Sequence, residues 1–260
     1  MFAATSINQR SRHVYLTLGA IGMAVCANAA LASPWSWIFG EEVAGSGTIK
    51  QQIRDIGHFT AISLDAPAAV ELRQGSAERI TIETDDNLIP LIKAFVENGS
   101  LKIQSSRKNT RLRPTSLKII VEAKTIHRLS VKNSGSIHAG RLDSLELSVN
   151  IGGPGDIHIK TLQSKELAVA LGGGAVFKAA GGADSVSLSI GGSGDVQTGN
   201  LASDEVSISL GGAGRAVVWA RKRLRLSLAG SGSVSYYGDP EIGKSATGPV
   251  SVTRLGSVPR

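Results

Sequence analysis

The chain has 260 residues, of which 42% are hydrophobic and only 4% aromatic, and its formal net charge is +7. This hydrophobic content is enough to build a core, and the scarcity of rings favours a narrow core of Leu, Ile and Val. The single cysteine, Cys26, excludes a fold held by intramolecular disulfides. We therefore expect stability to come from core packing and backbone hydrogen bonds.

The first 32 residues have the pattern of a secretory signal peptide. Arg10 and Arg12 give a basic start, Val14–Ala30 is mostly apolar or small, and a small-residue cleavage site ends at Ala32. An uncleaved membrane anchor is the alternative. We expect an exported protein, periplasmic, on the outer surface or secreted, that contacts the membrane only through this segment. Export also disfavours nucleic acid as a partner, despite the positive charge.

Residues 33–44 are predicted to be a linker and residues 45–130 a β-rich part made of short strands. Asn98-Gly99 is a tight hairpin signal. Asp85 and the two residues after it predict an acidic cap for one short helical turn, which Pro90 limits to a first turn. Alternating apolar segments predict strands at Thr48–Ile53, Phe59–Leu64, Ala69–Leu72, Arg79–Glu83, Leu101–Gln104, Leu117–Glu122 and Leu129–Lys132.

Six glycine-rich segments follow one another in residues 131–235 at a nearly constant spacing. We attribute the one spacing of 19 in the middle of the series to a residue missing from the third turn. A fixed period near 20 predicts a solenoid, with residues 236–260 folding back as a C-terminal cap and tail. The segments begin at Val131, Ile151, Leu171, Ile190, Leu210 and Leu228, which lie 20, 20, 19, 20 and 18 residues apart.

Each repeat carries alternating apolar positions just before its glycines. Recurrence of this alternation predicts parallel coils, with a buried strand face whose like residues stack about 4.8 Å apart. Three inward sets per coil predict an all-β fold, a three-sided parallel β-helix. The first inward set is Leu147, Val149, Ile151, Leu167, Val169, Leu171, Val186, Leu188, Ile190, Val206, Ile208, Leu210, Leu224, Leu226 and Leu228. The second set is Ile137, Ile157, Val176, Val196, Ala216 and Val234, and a looser third set is Leu142, Leu162, Leu201 and Trp219.

The turn glycines are predicted to be structural. A sharp corner needs left-handed or mirror-β conformations that suit glycine, and a side chain there would crowd the coils above and below. The small outward residues of the strand before each turn, such as Ser187 and Ser207, form a flat face, which we expect residues 45–130 to cover; a ligand face is the alternative. The turn glycines are Gly152, Gly153, Gly172, Gly173, Gly191, Gly192, Gly211, Gly212, Gly230 and Gly232.

Four side chains after the turns are candidate partner contacts. Asp156 and Asp195 follow Gly-Gly-x-Gly, but one Asp every second coil does not supply the several oxygen ligands that calcium requires. At roughly 10 Å apart they are at or beyond the upper limit for an inverting glycosidase pair. His138 and His158 occupy equal positions and are expected to stack outward, with Phe177 as the next residue in their column. We therefore predict neither a metal nor a cofactor.

A basic cluster made of Arg221, Lys222, Arg223 and Arg225 is predicted on the last coils. It has two interpretations, which are compatible. The cluster could contact an anionic partner such as lipid headgroups or an acidic protein. Alternatively, its charges could prevent end-to-end stacking of the solenoid.

The chain resembles the head GIN domain family, exported bacterial β-proteins whose suggested role is adhesion. The resemblance begins at Gly45-Ser-Gly and extends from Ala44 to about Leu255. It implies a single-stranded right-handed β-helix and export, and it implies no catalytic residue. The matching segments are residues 54–64, 69–75, 85–88, 98–103, the repeated Gly-Gly-x-Gly turns and residues 230–242.

Fold and resemblance together favour a non-enzymatic binding or scaffolding protein of the cell envelope, and the resemblance implies an adhesin-like role. An envelope polysaccharide or another envelope protein is a possible partner. The alternative is a carbohydrate-active β-helix enzyme of the lyase or hydrolase type.

Overall fold

The computed structural model of the protein describes residues 41–106 and 110–259. The predicted signal peptide at residues 1–32 and most of the predicted linker lie outside these residues. The last four linker positions form a strand, β1 (Glu41–Ala44). Within the described ranges, no helix has the length and hydrophobicity that crossing a membrane requires.

Five long strands, each covering nearly a whole coil, form the centre of the molecule. Each pairs in parallel with the next along the chain, so that residues one period apart are neighbours. The result is a β-solenoid of about six turns, which confirms the predicted β-helix. The strands are β11 (Ser136–Ile151), β12 (Asp156–Leu171), β13 (Val176–Ile190), β14 (Asp195–Leu210) and β15 (Arg215–Ala229).

The N-terminal part continues the solenoid, as predicted. One of its strands, β10 (Arg128–Val131), lies between β11 and β3 (Ala61–Asp65), and both pairings are parallel. A second strand, β4 (Ala69–Gln74), pairs with the other end of β11. Further strands are β2 (Ile49–Asp55), β3 (Ala61–Asp65), β4 (Ala69–Gln74), β5 (Arg79–Asp85), β6 (Ile92–Glu97), β7 (Ser100–Ser105), β8 (Thr110–Arg113) and β9 (Leu117–Ala123).

The hairpin predicted at Asn98-Gly99 is confirmed. Both residues have positive φ, 51° and 69°, and they join the antiparallel strands β6 and β7. This is the conformation that a two-residue Asn-Gly turn requires. The short helical turn is a 3₁₀ helix at Ile89–Leu91 with proline near its start, but the predicted acidic cap is wrong, because Leu88 is the N-cap residue and no side chain caps the helix. Strands β1, β6 and β8 were not predicted from the sequence.

A buried carboxylate fixes the start of the fold. Asp85 is fully buried, and its oxygens accept hydrogen bonds from the backbone N–H groups of Gly47 and Thr115, both at 2.8 Å. Burial by itself would raise the pKa of Asp85, but these hydrogen bonds outweigh it and hold the pKa below its ordinary value of 3.8. The carboxylate thus ties two loops to the end of β5.

The inward columns form one continuous hydrophobic core, and all fifteen residues of the first predicted set are buried. The second set contains one error. Register pairs Ile157 with Phe177, which is fully buried, whereas Val176 faces outward and is half-buried. The third set is wrong at Trp219, which is also half-buried, because Val218 and Ala220 point inward instead.

The residue missing from the third repeat does not come from its turn. The turns that end β11, β12, β13 and β14 all have four residues before the next strand begins. The loss lies at the second corner, where Ile159 pairs with Ala179 but Leu162 pairs with Gly181. Gly181 has φ of 121°, and a Cβ atom there would lie 2.1 Å from the carbonyl oxygen of Leu162. The shortened corner therefore depends on glycine.

Some of the turn glycines are needed for close stacking, and only one of them for its φ angle. Among the ten predicted turn glycines, Gly230 alone has positive φ. A Cβ atom on Gly192 or Gly212 would lie 2.8 or 2.3 Å from a carbonyl oxygen of the preceding turn. On Gly191 or Gly211, one position earlier, the nearest atom is 3.7 or 3.9 Å away. Only the second of these paired glycines lacks space for a side chain.

Residues 45–130 do not cover the flat face of small residues, contrary to the expectation. They stack at the end of the solenoid, and Ser187, Ser189 and Ser209 on that face are exposed.

The C-terminal segment does not fold back but continues the coil. Its strands are β16 (Ser233–Tyr237), β17 (Glu241–Thr247) and β18 (Ser251–Gly256), of which β17 pairs in parallel with β15 and β18 with β16. Register aligns the exposed Lys244 with the buried Leu226, so a charged residue occupies an inward position in this last coil. Such a charge hinders addition of another strand.

Candidate functional site

Every member of the predicted basic cluster forms an ion pair with one of two acidic residues of the preceding coil. Arg221 and Lys222 contact Asp204 at 2.6 and 2.9 Å, and Arg223 and Arg225 both form ion pairs with Glu205. The hydrogen bond from Lys222 and the charge of Arg221 hold the pKa of Asp204 below its ordinary value. The cluster does not lie at the end of the solenoid either, because β17 pairs beyond it. It is a weak candidate for binding an anion.

The two predicted histidines are neighbours in one outward column. Their ring centroids are 6.2 Å apart with an interplanar angle of 80°, so the rings meet edge to face. His138 Nε2 lies 3.9 Å from Asp156 Oδ2. The next residue of this column is Lys178, not the predicted Phe177. No group of three or more metal-ligating side chains occurs in the part of the chain that the structure describes.

A groove of about 460 Å³ lies beside this column, on the side face that follows the glycine turns. We call it the lateral groove. It contains two cations, one carboxylate, two amides, one imidazole and one phenol ring, and it is bordered by the C-terminal tail. Its lining residues are His158, Lys178, Ala179, Ala180, Asp195, Gln197, Gly199, Asn200, Arg215, Val217, Tyr237 and Pro259.

Two register shifts on either side of β14 mark the position of the lateral groove. Lys178 and Ala180 pair with Gln197 and Asn200, so β14 has one residue more than β13 there. The number of extra residues is larger relative to β15. Thr198 and Ala202 of β14 are four residues apart, but they pair with the adjacent residues Val218 and Trp219 of β15. Extra residues bend a strand and redirect its side chains, and such bulges are common next to binding sites.

An aromatic side chain lies directly on this bulge. A Cβ atom built on Gly199 would be 3.4 Å from Tyr237 Cε2 and 3.0 Å from Val217 Cγ1. The absence of a side chain at Gly199 therefore lets the ring lie close to the backbone of β14. Tyr237 is half-buried, which leaves part of the ring accessible within the lateral groove.

The charged groups of the lateral groove are incompletely paired. Lys178 and Arg215 form no ion pair with any described residue. Asp195 Oδ2 accepts a hydrogen bond from Gln197 Nε2 at 2.8 Å, whereas Asp195 Oδ1 is shielded from solvent and has no partner among the described residues. An unpaired buried acceptor is costly and uncommon in folded proteins.

The structure therefore brings together only part of the predicted site. His158 and Asp195 line the lateral groove, while His138 and Asp156 lie beside it and the basic cluster is elsewhere. Sequence reasoning missed Lys178, Asn200 and Tyr237 as site residues. Lys178 was missed because the error in the third turn shifted the column by one position.

A family model matches residues 58–240, more than two thirds of the chain, with the description "Putative auto-transporter adhesin, head GIN domain". The chain belongs to the head GIN domain family. This confirms the resemblance seen in the sequence. A search of curated proteins found no match.

Several solved structures have a similar fold. A "putative adhesin" from Bacteroides fragilis has a TM-score of 0.77 at 24% identity, covering 82% of this chain and 100% of its own. A "putative lipid binding protein" from Parabacteroides distasonis has a TM-score of 0.71 at 24% identity, covering 83% and 100%. A "putative adhesin" from Parabacteroides merdae has a TM-score of 0.64 at 17% identity, covering 83% of this chain and 99% of its own. At these identities the likeness concerns the fold alone.

Proposed function

We propose that this head GIN domain protein is an exported, non-enzymatic binding or scaffolding protein of the cell envelope, adhesin-like in role. The lateral groove is the observation that carries the proposal. It is a concave surface built on a packed β-helix, and it holds two cations, Lys178 and Arg215, that form no ion pair within the described part of the chain. The description of the family as adhesins supports a role at the envelope.

The difference between the inward and the outward residues of each coil also favours binding. In β11–β15 the three inward columns before each turn hold only Leu, Ile and Val, whereas the outward residues beside the turns differ from coil to coil. In the column that contains Asp156, the following residues are Val176, Asp195, Arg215 and Ser233. The regular inward columns keep the shape of the solenoid, and the varied outward residues give its surface a specific chemistry.

The spacing of the two acidic residues supports binding more than glycoside hydrolysis. Asp156 and Asp195 are two rungs apart, roughly 10 Å at the usual strand spacing, and the half-buried Val176 separates them. A pair of catalytic carboxylates usually lies within about 9.5 Å.

A binding screen with a groove-blocking variant tests the proposal. The purified protein is assayed against glycans, envelope polysaccharides and lipid vesicles, together with Ala180→Trp, which fills the lateral groove, and Ala168→Trp, which changes the flat serine-rich face. We expect saturable binding without product formation, lost in Ala180→Trp and kept in Ala168→Trp. Substrate turnover that disappears in Asp156→Ala or Asp195→Ala would refute the proposal and favour the carbohydrate-active enzyme.

A further inference from the structure

The polar and aromatic groups of the lateral groove match a sugar ring. Tyr237 offers a flat face on which the apolar side of a pyranose can pack, and the amide of Asn200 can bond hydroxyl groups. The amide of Gln197 is already oriented, because its Nε2 donates to Asp195 Oδ2 at 2.8 Å. Its carbonyl oxygen remains available to a hydroxyl donor.

The charges specify the kind of sugar. Lys178 and Arg215 carry two positive charges without ion-pair partners among the described residues, and Asp195 carries one negative charge, so these groups sum to +1. A planar guanidinium binds a carboxylate through two parallel hydrogen bonds. Building on the proposed binding function, we infer that the lateral groove recognises a saccharide bearing carboxylates, of the uronic acid class, with the carboxylate on Arg215 and Lys178.

The remaining carboxylate argues for this class over phosphorylated sugars. Register places Asp195 directly beside Arg215 on the neighbouring strand. Its negative charge repels a doubly charged phosphate more than a singly charged carboxylate.

Calorimetric titration of the purified protein with uronate oligosaccharides tests the inference. The probes are oligomers of galacturonate, glucuronate and mannuronate, and the same oligomers after chemical reduction of their carboxylates to alcohols. We expect at least one acidic oligomer to bind roughly tenfold or more tightly than its reduced form, because a charge-assisted hydrogen bond is lost. Its affinity falls as salt is raised.

Matched variants locate the interaction. Arg215→Gln is expected to weaken binding of the acidic oligomer by roughly tenfold or more, with little effect on the reduced one. Tyr237→Leu weakens both. Lys165→Gln removes a charge from an exposed position outside the lateral groove and leaves both affinities unchanged. Circular dichroism melting of each variant shows whether the fold is retained.

Several outcomes overturn the inference. They are equal affinity for acidic and reduced oligomers, tighter binding of a phosphorylated oligosaccharide, unchanged affinity in a folded Arg215→Gln, and no saturable binding of any of the three uronates. A neutral glycan whose binding is lost in Ala180→Trp would refute the ligand class while supporting the binding function. No ligand from the whole envelope screen would refute the binding function itself.

Discussion

The two glycines of one turn are expected to respond oppositely to the same substitution. In Gly212→Ala the new Cβ atom would lie 2.3 Å from the carbonyl oxygen of Gly192, and backbone atoms must separate by at least 0.7 Å to reach 3.0 Å. Overpacking of this kind costs about 1–3 kcal/mol. We place Gly212→Ala at the upper end, about 2–3 kcal/mol, because a rigid backbone and not a flexible side chain must move.

Gly211→Ala is the matched control. Its Cβ atom would have no neighbour nearer than 3.9 Å, and Gly211 does not have positive φ. Replacing glycine by alanine at such a position stabilises by about 0.4–1 kcal/mol, since the unfolded chain loses conformational freedom.

Thermal melting followed by circular dichroism separates the two variants. For a domain of this size one kcal/mol shifts Tm by about 2–4 °C, so Gly212→Ala should melt about 4–12 °C below the wild type. Gly211→Ala should melt at or slightly above it. Equal shifts in the two variants would refute the assignment of the second glycine as the stacking residue.

Three further predictions follow from the core, the N-terminal loops and the last coil. Phe177→Ala should lower the free energy of unfolding in urea by about 3–5 kcal/mol, whereas Val176→Ala should change it by less than about 1 kcal/mol; the reverse order would contradict the register. Because the folded pKa of Asp85 is depressed, its stabilisation is complete above the unfolded value near 3.8 and is lost as pH falls through the folded value. Asp85→Asn should therefore lower Tm at pH 7 and flatten the decrease of Tm measured between pH 5 and 2. Lys244→Leu should make the protein sediment faster than the wild type by removing the charge that opposes end-to-end strand pairing, and an unchanged sedimentation coefficient would contradict this role.

The sequence predicted the fold well because the residues that repeat are the apolar residues that form the core. Fifteen apolar residues at fixed phase specify parallel stacking, and Asn98-Gly99 specifies a hairpin through its φ angles. Strand β6 was missed because the adjacent apolar residues Phe95 and Val96 hide its alternation, and β8 because Leu112 is its only apolar residue. The covering of the flat face was wrong because strand composition does not reveal whether a neighbouring segment stacks on the end or on the side of a solenoid.

The candidate site could be predicted only in part, because it forms where the repeat is irregular. Repetition predicts which residues share a column, but the lateral groove exists where the repeat fails, at the extra residues of β14 and the shortened corner at Gly181. The sequence shows that the third repeat is one residue short, but it does not show which corner of the coil lacks the residue. If the glycine turn lacked it, Phe177 would lie beside His158. Because the second corner lacks it, Lys178 lies there instead. The same displacement that buries the aromatic ring in the core thus exposes the cation on which our ligand assignment depends, and the Phe177 and Val176 variants test both consequences together.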